Sequence, residues 1–321
     1  MTEHLQDEKL VELINDYSNI PQLKSITLGE LLQYGFKPKE SILTPWLPTQ
    51  SLSMVHAPRG GSKTHLSLGI AYAVASGGAF LVWEALKPRG VLFIDGEMPG
   101  HALQERAKNI VRSSSKEATA PLIFLTPDLQ ENGLPNLVTV EGQLAVEKFI
   151  DDSIELIIVD NLSSLLRSGR ENEAESWQPI QDWLLKLRAK GKSVLLIHHS
   201  NKNGGQRGTS RKEDILDTVI NLKKPASYTP EQGALFEVHF EKARYLCGQE
   251  IAPFEAQLTT DAEGKQVWLT KSLSLSTYDK VVDLTRDGLT QAEIANTLGV
   301  NKSTVSRHIT AAREAGLITE V

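Results

Sequence analysis

An apolar run, Ser51–Ala57, passes directly into Pro58-Arg59-Gly60-Gly61-Ser62-Lys63-Thr64, and this in turn into the helix-forming run HLSLGIAYAVASG. No other stretch constrains the fold so strongly. Strand, glycine-rich turn and helix in this order build a phosphate cradle: glycines let backbone N–H groups converge on the oxygens, and the helix turns its positive end towards them. In such a P-loop Lys63 reaches the terminal phosphates of a nucleotide and the Thr64 hydroxyl ligates magnesium, so ATP and Mg2+ are the expected cofactors. Arg59, Gly60, Gly61 and Ser62 supply the loop itself. The general pattern GxxxxGK[ST] has glycine where this chain has Ala57 and Ser62. Alanine is tolerable at 57 in any ordinary backbone region. Ser62 places a Cβ beside the phosphates, which demands a different loop or weakens nucleotide binding.

Further strand-like runs recur at Gly90–Asp95, Leu122–Thr126, Ile154–Asp160, Ser193–His198, Asp217–Leu222 and Leu235–Phe240, several of them continuously apolar. Continuous apolar strands are covered on both faces. Helical patterns at Lys63–Ser76, His101–Ser114, Glu141–Asp151 and Glu175–Lys190 lie between them. This alternation predicts an α/β domain over 41–270 with a mainly parallel sheet and its ligand crevice beyond the carboxyl ends of the strands. Residues 1–40 read as a lead-in with an amphipathic helix over 5–16, and Lys271–Tyr278 as a linker.

Three strand ends carry candidate chemistry. Asp160, at the tip of a buried strand, suits the Walker-B role of holding a magnesium-bound water. The run Asp95-Gly96-Glu97-Met98-Pro99 offers a carboxylate to polarise the attacking water. Glu97 is the better general base because it lies just past the strand, with Asp95 as the alternative. Of His198 and His199, alternation lets one address the crevice, and His199 is favoured as a polar sensor of the phosphate. Two adjacent histidines without further ligands make no metal site.

From Tyr278 the pattern turns helical. Thr290 with Glu293 forms a capping box, Ile294 and Leu298 an inner stripe, Gly299 a turn, and Val305 and Ile309 the packing face of a second helix. This predicts a small all-α helix-turn-helix domain over 278–321, similar to the DNA-binding domains of bacterial transcription regulators. Its second helix presents Lys302, Ser303, Thr304, Ser306 and Arg307 to bases or phosphates. Aspartates at 279, 283 and 287 and Glu293 also suit a protein-binding module.

A length of 321 residues with 40% hydrophobic content accommodates one large domain and one small one. One cysteine excludes an internal disulfide framework and points to a reducing compartment, with Cys247 an incidental small residue. The acidic start MTEHLQDEKLVEL is unlike a secretory signal and no run is long enough to span a membrane, so a cytoplasmic protein is expected. A net charge of -6 disfavours coating nucleic acid by bulk attraction but permits a local basic patch or a basic pore.

The P-loop together with DGEMP, LIIVDNLSSLL, SVLLIHHSNK, RGTSRKEDILDTVINL and VHFEKAR resembles the RecA-like ATPases related to the plasmid replicative helicase RepA, over roughly residues 40–250. The resemblance implies a ring, commonly a hexamer, with nucleotide between subunits and DNA through the centre. It casts Glu97 as the catalytic glutamate, Asp160 as the Walker-B aspartate and His199 as the polar residue ending the next strand. Lys242-Ala243-Arg244 resembles the Lys-x-Arg pair that hexameric helicases insert into the neighbour's site. Residues 201–211 resemble the basic loop facing the ring centre, where Lys202, Arg207 and Arg211 meet a phosphate backbone. The same residues also suit a solvated loop, and Lys242 and Arg244 a solvated strand end bridged to Glu241 or Glu237. The expected function is an ATP-hydrolysing, DNA-binding motor of a mobile element. The alternatives are an ATP-controlled regulator or initiator and a non-catalytic scaffold.

Overall fold

The computed structural model describes residues 23–60, 62–166, 174–200, 213–225, 227–314 and 317–318. The helix expected over 5–16, Gly61, and the loop residues Lys202, Arg207 and Arg211 lie outside them. Met1–Pro38 is one compact unit and Lys39–Val321 another. In the first, helix α1 (Leu28–Gln33) is closed at its start by a capping box between Thr27 and Glu30.

The second unit opens with a short antiparallel pair, β1 (Ser41–Leu43) and β2 (Leu47–Pro48), then β3 (Leu52–Ala57) and helix α2 (Lys63–Ser76). A second short pair, β4 (Ala79–Phe80) and β5 (Trp83–Glu84), precedes β6 (Gly90–Asp95) and α3 (Gly100–Ser113). There follow β7 (Leu122–Leu125), α4 (Val140–Glu147), β8 (Ile154–Asp160), the single turn α5 (Leu162–Leu165), α6 (Ala174–Ala189) and β9 (Ser193–His199). β10 (Thr218–Lys223), β11 (Leu235–Ala243), β12 (Phe254–Thr260) and β13 (Gln266–Ser272) come next, then α7 (Leu273–Arg286), α8 (Gln291–Leu298) and α9 (Lys302–Glu314).

Among the described residues the main sheet has nine strands in the order β13-β12-β11-β10-β3-β9-β8-β6-β7. The block from β10 to β7 is parallel, and β11, β12 and β13 join it antiparallel. The fold is thus an α/β P-loop domain with a largely parallel sheet and a small all-α helix-turn-helix domain. Alternation along each strand feeds two cores. Val55, Ile158, Ile197 and Phe93 face α2, while Met54, Ile157, Leu196 and Leu92 face α6. Helix α2 is buried almost throughout, which explains its lack of a polar stripe. Helix α6 instead buries Trp177, Ile180, Trp183, Leu184 and Leu187, at the spacing of one helical face. Each such side chain contributes about 1.5–3 kcal/mol of transfer free energy.

The C-terminal helices close around Val281, Val282, Ile294, Val305 and Ile309. Thr290 and Glu293 form the capping box, and Gly299 ends α8 in the left-handed region at φ 65°.

Two expectations need correction. The linker placed at Lys271–Tyr278 is the end of β13 followed without a break by α7. Lys271 and Ser272 end an edge strand that is largely exposed, and the residues from Leu273 on begin a helix, so polarity there does not mark a break in structure. The hairpin β12–β13 was not among the expected strands. It pairs in register from Phe254↔Ser272 to Thr260↔Gln266 around Asp261, whose N–H donates to the Lys265 carbonyl at 2.9 Å. Half-buried antiparallel strands alternate polar with apolar and lack the continuous runs of the central strands.

Gly90 starts β6 beneath the chain at Ser153, where an added Cβ would lie 2.0 Å from the Ser153 carbonyl oxygen. Backbone cannot yield as a side chain does. Gly90→Ala is therefore expected to lower unfolding free energy by about 1–3 kcal/mol or more, read by urea denaturation with an unchanged m-value.

Candidate functional site: a phosphate cradle at the strand ends

The cradle begins where β3 stops. Gly60 has φ +70° and Ser62 has φ 58° with ψ 17°, so the serine occupies the left-handed conformation that glycine takes without penalty. For a residue with a Cβ that region costs about 1–2 kcal/mol. Lys63, at the first position of α2, is buried, and its Nζ donates to the carbonyls of Ala57 at 3.1 Å and Pro58 at 2.9 Å. Burial lowers its pKa, while the carboxylates of Asp160 and Glu97 oppose that shift. The ammonium thus rests on the loop that precedes its own helix. Arg59 and Gly60 are exposed, and Thr64 is half-buried beside Asp160.

Strand pairing brings the acidic residues to the same edge. Asp95 and Asp160 are in register on β6 and β8. Asp160 is buried and its Oδ2 accepts from the Ser67 hydroxyl at 2.8 Å. Burial pushes its pKa up to about 6; hydroxyl hydrogen bonds from Ser67 and Thr64 oppose this and the Asp95 carboxylate adds to it. Asp95 is also buried and also raised, chiefly by desolvation. Its Oδ1 accepts the backbone N–H of Glu97 and of Met98, both at 3.1 Å. Asp95 is therefore the cap of the turn that presents Glu97. The Glu97 side chain is 54% exposed and its Oε1 lies 3.9 Å from His199 Nε2. Gly96 makes this turn possible, since a Cβ there would lie 2.1 Å from Ser164 Oγ.

A cleft of about 370 Å³ collects these groups: Lys63, Thr64, Glu97, Asp160 and His199 line it, together with Arg106 of α3 and Asn161. His199 faces the cleft; His198, fully buried, sits one residue earlier on the other face. A second cleft of about 250 Å³ shares His65 and Arg106 with the first and continues between α2, α3 and the β12–β13 hairpin past Tyr72, Phe80 and Trp268. A polar cleft joined to an apolar one suits a ligand with an anionic end and a flat, weakly polar end. Ser67, His65 and Arg106 were not anticipated. Ser67 stands one helical turn after Lys63 and was legible from that spacing; Arg106 belongs to no motif and reaches the cleft only through the packing of α3.

Lys242 and Arg244 are elsewhere. Ala243 pairs with Thr218 and Thr218 with Ser53, so the pair lies at the end of the sheet away from the cradle, which follows Ala57. Their side chains donate to carbonyls, Lys242 Nζ to Glu213 and Arg244 Nη2 to Asp214 at 2.6 Å. Glu241 and Glu237 instead pair with His56 and His239, each at 2.8 Å. On α9, Lys302, Ser303, Ser306 and Arg307 are exposed and Thr304 is half-buried, around buried Val305 and Ile309. Among the described residues no helix is long and apolar enough to cross a membrane.

The cradle, the strand-end carboxylates and the sheet order define a P-loop ATPase domain fused to a helix-turn-helix DNA-binding domain. Residues 18–205 match the family described as AAA domain, more than half of the chain, and the chain belongs to that family. Residues 286–319 match the winged helix-turn-helix DNA-binding family. A crystal structure of the RadB recombinase is similar over 67% of this chain and 89% of its own, at 16% identity and a TM-score of 0.48. No curated protein matches the sequence.

Two measurements follow from these conformations and charges. Ser62→Gly removes the strained Cβ and is expected to stabilise the nucleotide-free protein by about 1 kcal/mol, less what the freer unfolded chain takes back; thermal unfolding reads it. His65 is held down to about 4, first by burial and then by the Arg106 guanidinium. The fold thus prefers the neutral ring, and the contribution of this group to stability falls by about 3 kcal/mol as pH drops from 6.5 through 4, while the raised Asp160 and Asp95 carboxyls act in the opposite sense. His65→Gln lacks this loss, so the urea midpoint of the variant minus that of the wild type should rise as pH falls from 7.5 to 4.5.

Proposed function

We propose that this chain is a DNA-stimulated ATPase that works as a ring, a RepA-like helicase or motor in replication of a plasmid or mobile element. The observation that carries this reading is the convergence of Lys63, Asp160, Glu97 and His199 on one cleft at the carboxyl ends of parallel strands. In it, Lys63 and the loop amides bind the phosphates of ATP, and Thr64 and Asp160 hold Mg2+. The residues fit the ion: Asp160 is a buried carboxylate beside two hydroxyls, and a cation would favour its ionised form. Bound magnesium neutralises charge on the phosphates. Glu97, half exposed and held by the Asp95 turn, takes the proton of the attacking water, while His199 senses the terminal phosphate. The apolar cleft past His65 and Arg106 would take the purine.

Lys242 and Arg244 stand too far along the sheet to serve their own cradle, and the reading assigns them to the neighbour's nucleotide in a hexamer. The Lys202, Arg207 and Arg211 segment contacts single-stranded DNA in the ring. The head bearing Lys302, Ser303, Thr304, Ser306 and Arg307 binds duplex DNA, several copies acting together through avidity. That head also favours a second reading, an ATP-controlled initiator that binds DNA without unwinding it.

ATP hydrolysis with and without single-stranded DNA separates these readings. Stimulated turnover is expected in the wild type. Glu97→Gln should lower kcat by about 10²–10⁴-fold while binding nucleotide, and Lys63→Ala should lose binding itself. ATP-dependent assembly without stimulation would sink the motor and leave the initiator.

A further inference from the structure

The face of the sheet turned away from α2 carries a polar chain that nucleotide binding does not use. His56 is the penultimate residue of β3 and is fully buried. One turn of the pleat earlier, Met54, Leu196 and Val219 form an apolar layer on this face. At the next layer the side chains become His56, His198 and Asn221, neighbours in register. Burying polar groups costs free energy unless each is satisfied, so such a layer needs a reason beyond pairing the strands.

Both ring nitrogens of His56 are engaged. Nε2 lies 2.8 Å from Glu241 Oε2 and Nδ1 lies 2.9 Å from Ser200 Oγ. The other Glu241 oxygen accepts from Asn221 Nδ2 at 2.7 Å. Burial pushes the Glu241 pKa up, but the hydrogen bonds from Asn221 and His56 outweigh it and the carboxyl is held below its usual range. A carboxylate can only accept, so Nε2 carries the proton and donates; in the neutral ring Nδ1 is then the acceptor of the Ser200 hydroxyl. This fixes the plane and tautomer of the ring as a carboxylate fixes a histidine in a catalytic pair.

What the ring holds is the end of β9. The Ser200 N–H donates to the Ala57 carbonyl at 2.9 Å, the same oxygen on which Lys63 Nζ rests. Ser200 is covalently next to His199, which stands 3.9 Å from Glu97 across the cleft. Glu241, at the other end of the chain, immediately precedes Lys242 on β11. We propose that His56 is a positioning residue of the hydrolytic site: clamped by Glu241, its ring holds Ser200 and thereby sets where His199 stands against Glu97. This rests on the ATPase reading above. His56 does not line the cleft, so its effect is carried by Ser200 to His199.

The test is steady-state ATP hydrolysis by the full chain, with and without single-stranded DNA, for His56→Leu, Ser200→Ala and each combined with His199→Ala. Leucine keeps the layer filled, and Ser200→Ala removes one hydroxyl and serves if the leucine variant does not fold. A roughly tenfold fall in kcat with KM unchanged is expected for both single variants. In the His199→Ala background neither should lower kcat further, because the residue they position is gone. Single variants with wild-type kcat overturn the inference, as do losses that multiply undiminished in the His199→Ala background. A wild type that hydrolyses no ATP under either condition overturns the ATPase reading and this inference with it.

Discussion

Parallel pairing of β6, β8, β9 and β3 puts four chain segments at one edge of the sheet, and the rest of the site depends on it. Parallel strands end together, so whatever follows each of them shares a crevice. Here the followers are the glycine turn after Ala57, the capped turn after Asp95, Asp160 itself and the two histidines of β9. Helix α2 is buried nearly all round, gripped between the sheet and the small strands, and its first turn stays where β3 ends.

The strand edge concentrates charge that water would otherwise solvate. Lys63, Asp95 and Asp160 are all buried, and their pKa values move in the directions that weaken their charges. The groups are satisfied locally by substitutes: carbonyls for Lys63, a hydroxyl for Asp160, two amides for Asp95. A polyphosphate with a divalent cation would supply better partners for the first two. Asp95 has a different task, since its amide bonds shape the turn and leave Glu97 half exposed. The left-handed Ser62 belongs to the same economy: backbone strain at a phosphate loop persists because the strand before it and the helix after it leave no alternative path.

The two faces of the sheet then divide the labour. The face towards α2 carries Asp95, Asp160 and His199, and the opposite face carries His56 and Asn221 behind them. An apolar layer at that position would hold the strands as well. A hydrogen-bonded one ties the end of β9 to β11 in a direction that packing alone leaves soft.

The glycine-rich turn, the parallel sheet and the paired helices of the C-terminal head are all legible along the chain. Each rests on local rules: continuous apolar runs, glycine followed by a helix, a capping box four residues long. The sequence also points to Glu97, Asp160 and His199, because each stands at or just beyond the end of an apolar run: Asp160 and His199 close β8 and β9, and Glu97 follows β6 by two residues. The remaining features arise from contacts between distant segments. That Asp95 caps and Glu97 faces the cleft depends on where Oδ1 finds amides. That Arg106 lines the cleft depends on the packing of α3, and that Lys242 and Arg244 stand at the far end depends on the antiparallel return of β11. The β12–β13 hairpin has no clear signature in the sequence because exposed strands alternate weakly. His56 reads in sequence as one more residue of an apolar strand; its partners lie 144 and 185 residues away, and no local pattern encodes a contact that only the sheet order creates.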